Sequence, residues 1–552
     1  MTNLSDKTIQ VLIFIIGCFL YIPFIGQSHL FDWDEINFAE AAREMLVTKD
    51  WLTVQINYLP FWEKPPLFIW MQAISMKIFG VNEFAARFPN AVCGVVTLLV
   101  LFRLGRSILN SKLGLLWSFL YACSILPFLY FKSGIIDPWF NLFIFLGIYY
   151  IAKFTFSEIS IERYKFVGLS ALFIGLGVLT KGPVALLIFG LVTFIYFVTK
   201  KFRVKFSFGH ILLFSIIFLL VGGFWFILQL LNGNIEIVKD FFEYQIRLFQ
   251  TEDAGHGGFL FYHFVVLFIG VFPASIYAFL NFNRFRKDER KQFFEFKNWM
   301  LILFWTVLIL FTIVKTKIIH YSSLGYFPLT FIAAFLIYKQ LEQKETLPKW
   351  IKILVLFVGF LWSLIVVVIQ IIAANKEEII KMKSIKDEFA LGNLQANVHW
   401  SGFEFLIGLL FFVALVFVFV SKRFTVQNQI IGSLFITLIF IYSTIVVIVP
   451  RVEGYTQNAA ITFYKSRQGE ACYVKTVGFK SYADLFYTAK TPTENLNANN
   501  EDWLIFGEID KPVYFVMKNT RSEEFERNFP HIKRLFEKNG FVFYKRNTNR
   551  LN

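Results

Sequence analysis

Phe61 to Leu67 read FWEKPPL, a glutamate, a lysine and two prolines set where an otherwise apolar chain is about to resume its apolar runs. The residue before a proline is driven to extended backbone, so Lys64 is expected at a bend, outside the helix that Pro65 and Pro66 begin. That helix carries Leu67, Trp70, Met71 and Ile74 on one side and stops at Gly80. Left in solvent, Glu63 and Lys64 would be a turn pair of little energetic weight. What they mean depends on the chain around them.

That chain is too greasy for water: 56% of its 552 residues are apolar, 19% aromatic and only 17% charged. Long apolar runs fit helices crossing roughly 30 Å of hydrocarbon with about 20 residues each, and a barrel's short alternating strands are not seen. The expected fold class is therefore mostly α, a polytopic membrane protein. Spans are expected near 9–27, 84–104, 113–130, 138–152, 166–180, 183–199, 210–231, 259–280, 299–314, 319–338, 351–373, 402–420 and 429–449, about thirteen in all. The first run, Ile9 to Gly26, reads as a retained span, because its basic leader is thin and no small-x-small site precedes HLFDWDE. Cys18, Cys93, Cys123 and Cys472 offer neither a disulfide framework nor zinc spacing.

Basic residues cluster at Arg103/Arg106/Lys112, Arg163/Lys165, Lys200/Lys201/Arg203/Lys205, Arg284/Arg286/Lys287/Arg290/Lys291 and Lys422/Arg423, which are alternate connections. By the positive-inside rule these face the cytoplasm, with the N-terminus, and the C-terminal tail lies outside. The formal charge of +15 is then mostly topology and not a sign of nucleic-acid binding. The expected domains are a transmembrane body over 1–450, with outer loops at 28–83 and 232–258 and a smaller one near 374–401, and an α/β domain over 451–552. In that tail CYVKTVGF, DWLIFGEI, PVYFVMK and GFVFYKR read as strands, and SEEFERNFPHIKRLFEKNG as a helix.

In the first outer loop, DWDEINFAEAAREMLVTKDW has Asp32 placed to cap a helix and Glu35 three residues on, as in a capping box. Ile36, Ala39, Ala42 and Met45 form an apolar face opposite Glu40, Arg43 and Glu44, which suits a helix lying along the membrane surface.

Four lysines break the local charge trend, since Lys132, Lys181, Lys315 and Lys317 fall in short outer turns. A cation near hydrocarbon costs about 2.5–3.5 kcal/mol on insertion scales, less when it snorkels. Asp137, in SGIIDPWFN, suits a helix cap with Pro138 behind it as well as an acidic wall. Arg247 is placed to pair with Glu243 four residues earlier. His256 and His263 are loop or helix-end histidines without metal-site spacing. A boundary cavity of several cations and a few carboxylates suits a lipid phosphate, whose leaving charge Lys, Arg and Tyr would neutralise, with an aspartate as general base on an acceptor hydroxyl.

In order along the chain stand DEINFAEAAREM, DW, FWEKPPLFIW, LFRLGR, IIDPW, GVLTKGPV and KIIHY. This ordered set, over about the first 340 residues, resembles the bacterial C-type glycosyltransferases (GT-C fold) related to aminoarabinose transferase and to protein O-mannosyltransferases. The resemblance implies a transferase at the periplasmic face of a bacterial inner membrane. It would take a sugar from a polyprenyl (undecaprenyl) phosphate donor, invert the anomeric centre, and give the sugar to a lipid A-like glycolipid or a protein hydroxyl. It implies catalytic carboxylates at Asp34, Glu35 and Asp137, with Asp34 the base. The donor phosphate would meet Lys64, Arg247 and Tyr321, with Lys181 and Lys317 lining the same cavity and Glu63 and His320 in support. No cofactor or metal ligand is implied, and a divalent metal stays open; the partners are donor, acceptor and membrane lipids, with no nucleic acid. Two departures, Asn37 in DEINFAE where DETRYAE is common and YSSLGYFP at the tenth span, leave sugar and acceptor open. The alternative is a transporter or flippase of a lipid-linked or anionic substrate, although no internal repeat is seen. An oligosaccharyltransferase would need a WWD-type motif, and Trp503 is the tail's only tryptophan.

Overall fold

The computed structural model describes residues 4–204, 206–250, 257–280, 291–382, 385–493 and 495–548. His256 and the basic cluster Arg284/Arg286/Lys287/Arg290 lie outside them, as does Lys205. Among the described residues seven helices are long and apolar enough to cross a membrane, or nine if each of two bent pairs is one span. The shortfall from thirteen has physical causes. Asp6–Tyr21, Val184–Thr199 and Phe405–Val420 have only 16 residues each. Ser111–Ala122 meets Ile125–Phe131 at 76°, Phe208–Gly222 meets Phe224–Leu231 at 60°, and the 259–280 stretch is split into Tyr262–Gly270 and Ala274–Tyr277. The last long helix runs unbroken from Val426 to Thr456, through the boundary expected at 451.

Close helix contacts depend on small residues, as they do where lipid removes any hydrophobic drive between helices. A Cβ added to Gly105, near the end of Glu83–Ile108, would stand 2.6 Å from the Gly114 Cα, so the two backbones touch.

The first outer loop departs from its sequence pattern in two ways. Its helix is Asp34–Thr48, and Asp32 does not cap it: the preceding residue is Trp33, at φ 72°, with no side-chain cap, while the Asp32 Oδ1 accepts from the Trp33 N–H. Nor is the polar face of this helix left to water. Glu40 and Glu44 are fully buried and Arg43 is 3% exposed, because the C-terminal domain covers the polar face. Arg43 donates to both Glu40 oxygens at 2.7 and 2.6 Å. Glu44 accepts from the Asn57 and Tyr58 N–H groups in the left-handed turn of the Gln55–Pro60 hairpin. Buried charge is tolerated only when so paired. Burial beside Glu40 nonetheless pushes the Glu44 carboxyl above the ordinary range.

Glu63 and Lys64 form a bend, and the next helix, Leu67–Phe79, starts after Pro66 and ends at Gly80. Its buried side is Phe68, Ile69, Gln72, Ala73 and Met76, whereas Ile74 is 53% exposed. Of the apolar stripe read from the sequence, Leu67, Trp70 and Met71 are half-buried, the last two packed against apolar clusters, and Ile74 is exposed.

In the tail, strands Tyr473–Thr476, Val513–Lys518, Phe541–Arg546 and Lys533–Lys538 form one sheet in that spatial order, the first pair parallel and the others antiparallel. Two expectations are corrected. DWLIF is helical, Glu501–Phe506, because Asn500 caps it by accepting from the Trp503 N–H. The 522–540 helix stops at Asn528, before Pro530; the rest is a strand that turns at Asn539-Gly540, both at positive φ, into its hairpin partner. One apolar cluster joins Leu30, Ile36, Ala42 and Ile69 to Ile461, Phe463, Phe486 and Phe543, so the C-terminal domain and the first loop share a core.

Candidate active site

The prolines after Lys64 matter because they hold it out of a helix and against a cavity of ≈ 460 Å³. The segments that meet there include the start of the Asp34 helix, the Glu63–Lys64 bend, the start of Asp137–Phe156, the end of Ser160–Lys181, the Ile235–Gln250 helix and the Ile319–Gly325 turn.

Of the residues singled out in the sequence, the structure brings Asp34, Glu63, Lys64, Asp137, Lys181, Arg247, His320 and Tyr321 to the cavity wall. Asp137 is the first residue of its helix yet makes no cap hydrogen bond; its Oδ1 accepts from Lys181 Nζ at 2.6 Å. The His320 Nε2 stands 3.7 Å from the Asp34 Oδ2 and 4.0 Å from the Asp137 Oδ2, between the two carboxylates. The Asp137 side chain is 4% exposed and paired, whereas that of Asp34 is 43% exposed and open to the cavity. Lys64 Nζ lies 5.0 Å from the centre of the Tyr244 ring, and the Arg247 guanidinium 5.2 Å from the same ring. Lys181 Nζ is 5.6 Å from the Tyr321 ring. Burial pulls the Lys64 ammonium below the ordinary lysine range, opposed by the neighbouring Glu63 carboxylate. Phe140, Val184, Ile188, Val314, Ile318 and Leu324 supply an apolar wall beside these charges.

Two residues do not join them. Glu35 is 3% exposed and turned away, bonded to Arg87 Nε and Nη2 at 3.0 and 2.7 Å and to the Phe31 and Gly134 N–H groups. Lys317 donates to the Phe311, Thr312 and Val314 carbonyls at 3.0, 2.7 and 2.6 Å, finishing the Lys291–Ile313 helix instead of facing the cavity. Of the other boundary lysines, Lys132 donates to the Pro23 carbonyl at 2.6 Å and Lys315 is exposed. His263 is fully buried away from the cavity wall.

Among the wall residues that escape the sequence reading are Trp33, Tyr244 and Lys480. Tyr244 stands three residues before Arg247 on one helix face, a spacing that was available. Lys480 comes from the C-terminal domain, and nothing local announces it.

The family described as dolichyl-phosphate-mannose-protein mannosyltransferase matches residues 63–225. The undecaprenyl phosphate-alpha-4-amino-4-deoxy-L-arabinose arabinosyl transferase of Wigglesworthia glossinidia brevipalpis is 27% identical over 367 residues, 65% of this chain and 63% of that one. Its counterpart from Photorhabdus laumondii is 27% identical over 329 residues, 58% of each chain. The chain thus spans less than two thirds of the length of these curated relatives. The crystal structure of ArnT from Cupriavidus metallidurans bound to undecaprenyl phosphate shares the fold with a TM-score of 0.75, at 17% identity, over 98% of both chains. The chain is therefore similar in sequence to the aminoarabinose and protein mannosyl transferases, and similar in fold, over nearly its whole length, to ArnT.

Proposed function

We propose that this protein transfers a sugar from a polyprenyl-phosphate donor, undecaprenyl phosphate in its relatives' names, to a hydroxyl of a lipid or protein acceptor. The observation that carries the reading is the cavity itself, where Lys64, Lys181 and Arg247 stand beside the Asp34 and Asp137 carboxylates and an apolar wall. The isoprenoid chain lies along that wall, and the phosphate faces the cations, with Tyr244 and Tyr321 beside them. Asp34 takes the proton from the acceptor hydroxyl as its oxygen attacks the anomeric carbon. The bond to the phosphate oxygen breaks on the opposite face, so the centre inverts, and the cations hold the charge that the leaving phosphate gains. Asp137 neutralises Lys181 and His320 spaces the two carboxylates; Glu63 opposes the loss of charge that burial imposes on Lys64.

The test is transfer of radiolabel from a purified polyprenyl-phosphate sugar to cell-envelope lipid or protein, with mass spectrometry of the product to name the acceptor. No transfer to either fraction would sink the reading. Lys64→Ala should weaken binding of undecaprenyl phosphate about tenfold or more, the loss expected for one charge-assisted contact of about 1.5–3 kcal/mol. Burial lowers the Lys64 pKa, so the charge is lost as pH rises. Donor affinity should therefore fall toward alkaline pH, and Lys64→Arg, which stays protonated, should flatten that fall. A pH profile identical in all three proteins would remove Lys64 from the phosphate site.

The same reading puts the cavity and the C-terminal domain outside the inner membrane and the N-terminus inside. A reporter enzyme fused after Asn552 should be active only if it requires the periplasm; activity of a cytoplasm-dependent reporter there would invert the arrangement.

A further inference from the structure

The segment that leads into Asp34 is held almost residue by residue by the C-terminal part of the chain. His29 Nδ1 meets Glu453 Oε1 at 2.9 Å. The Leu30 N–H donates to the Tyr487 hydroxyl at 2.8 Å, and its carbonyl accepts from Gln457 at 2.7 Å. Burial raises the Asp32 carboxyl above its ordinary range, and the neighbouring Ser481 side chain opposes that shift. Lys480 Nζ lies 5.6 Å from the centre of the Trp33 ring. The contacts end where Trp33 sits at φ 72°, ψ −110°, a conformation that a bulky side chain keeps only when its surroundings over-determine it. The next residue is Asp34, with no side-chain cap to fix the start of its helix.

We infer that the C-terminal domain is a clamp on residues 29–33, and that Lys480, Ser481 and Tyr487 are positioning residues that aim the Asp34 carboxylate through the strained Trp33 turn. This inference rests on the transferase reading for its kinetic consequence, though not for its structural one. Asp137 and Lys181, at the ends of their helices, fix each other through their ion pair, and Lys64 is set by its own bend before the prolines. Asp34 alone among these groups depends on a turn whose backbone would relax to an ordinary conformation if released. The domain therefore belongs to the catalytic step and leaves donor binding alone. Lys480 lies on the cavity wall, so the clamp is also part of the surface that an acceptor meets.

The experiment uses the full-length protein in detergent or nanodiscs, comparing the parent with the Lys480→Ala/Ser481→Ala double variant, Tyr487→Phe and Lys480→Arg. Hydrogen exchange of the segment 29–36 should speed up in the double variant and in Tyr487→Phe while exchange of the Leu67–Phe79 helix stays unchanged. Sugar transfer should fall about 100-fold in the double variant, the loss expected from misplacing a reacting group by about 1 Å. The Kd of Tyr487→Phe, a residue off the cavity wall, for undecaprenyl phosphate should stay at the parent's value. Lys480→Arg, which keeps a cation over Trp33, should restore most of the rate. Unchanged exchange at 29–36 in Tyr487→Phe, which loses a single hydroxyl and should fold normally, would overturn the clamp. So would a loss of undecaprenyl phosphate affinity in step with the rate in that variant. If the parent itself moves no sugar, the transferase reading fails and the exchange measurement still decides the clamp.

Discussion

Asp34→Asn protein should bind undecaprenyl phosphate as the parent does and transfer sugar about 100- to 10,000-fold more slowly, the contribution of a positioned general base. The amide has the shape of the carboxylate but takes no proton, so the substitution removes the chemistry with little disturbance to packing. The choice of Asp34 over Asp137 is an argument from pairing. The Asp137 carboxylate is committed to Lys181 at 2.6 Å and is 4% exposed, and a carboxylate held by an ammonium is a poor base. Asp34 is 43% exposed and open to the cavity, with the His320 ring 3.7 Å away. Asp137→Asn should act differently: it leaves Lys181 charged in a buried setting and should lower thermal stability along with the rate. Single-turnover rates at saturating donor separate the two. A parental rate in Asp34→Asn, with the loss found in Asp137→Asn or His320→Gln, would move the base to one of those residues.

What was legible in the sequence follows from how local each signal is. Lys64 was placed correctly because two prolines fix the backbone beside it, and a proline acts on its immediate neighbour. Lys181 stood out because a cation at a span end is costly wherever the rest of the protein lies. Asp34 and Glu35 show the limit. Adjacent helical residues point about 100° apart, so a pattern that puts an acidic pair at a helix start cannot say which member faces the cavity. That depends on Arg87, in the next span, which claims Glu35. Lys317 was misread for a related reason: Lys317 is expensive near lipid, as supposed, but three carbonyls of a helix end settle its cost without any ligand. The polar face of the Asp34 helix looked like a water-facing one because its cover arrives from the C-terminal domain. The tail held a usable signal that went unread, since Pro530 and Asn539-Gly540 mark the end of one helix and a two-residue hairpin turn.

The second large effect expected is on stability. Arg87→Ala should cost about 3–5 kcal/mol, the penalty for leaving one partner of a buried ion pair uncompensated. Arg87 is 2% exposed and its guanidinium does more than neutralise Glu35: Nη1 also donates to the Ile25 and Ser28 carbonyls and Nη2 to the His29 carbonyl, at 2.8, 2.8 and 2.9 Å. It therefore ties the end of the first helix, the segment leading to Asp34 and the Glu83–Ile108 helix at one point. Lysine cannot replace it, because one ammonium cannot reproduce a planar fork that serves a carboxylate on one side and three carbonyls on the other. Thermal unfolding in detergent should show Arg87→Ala and Arg87→Lys both destabilised. The same measurement fixes the role of Glu35. As a structural partner, Glu35→Gln should lower the unfolding temperature and keep a measurable transfer rate in the fraction that folds. As a catalytic carboxylate it would do the reverse, with stability kept and transfer lost as completely as in Asp34→Asn. Glu35 also accepts the Phe31 and Gly134 N–H groups, so among the described residues its two oxygens receive four N–H donors from three residues.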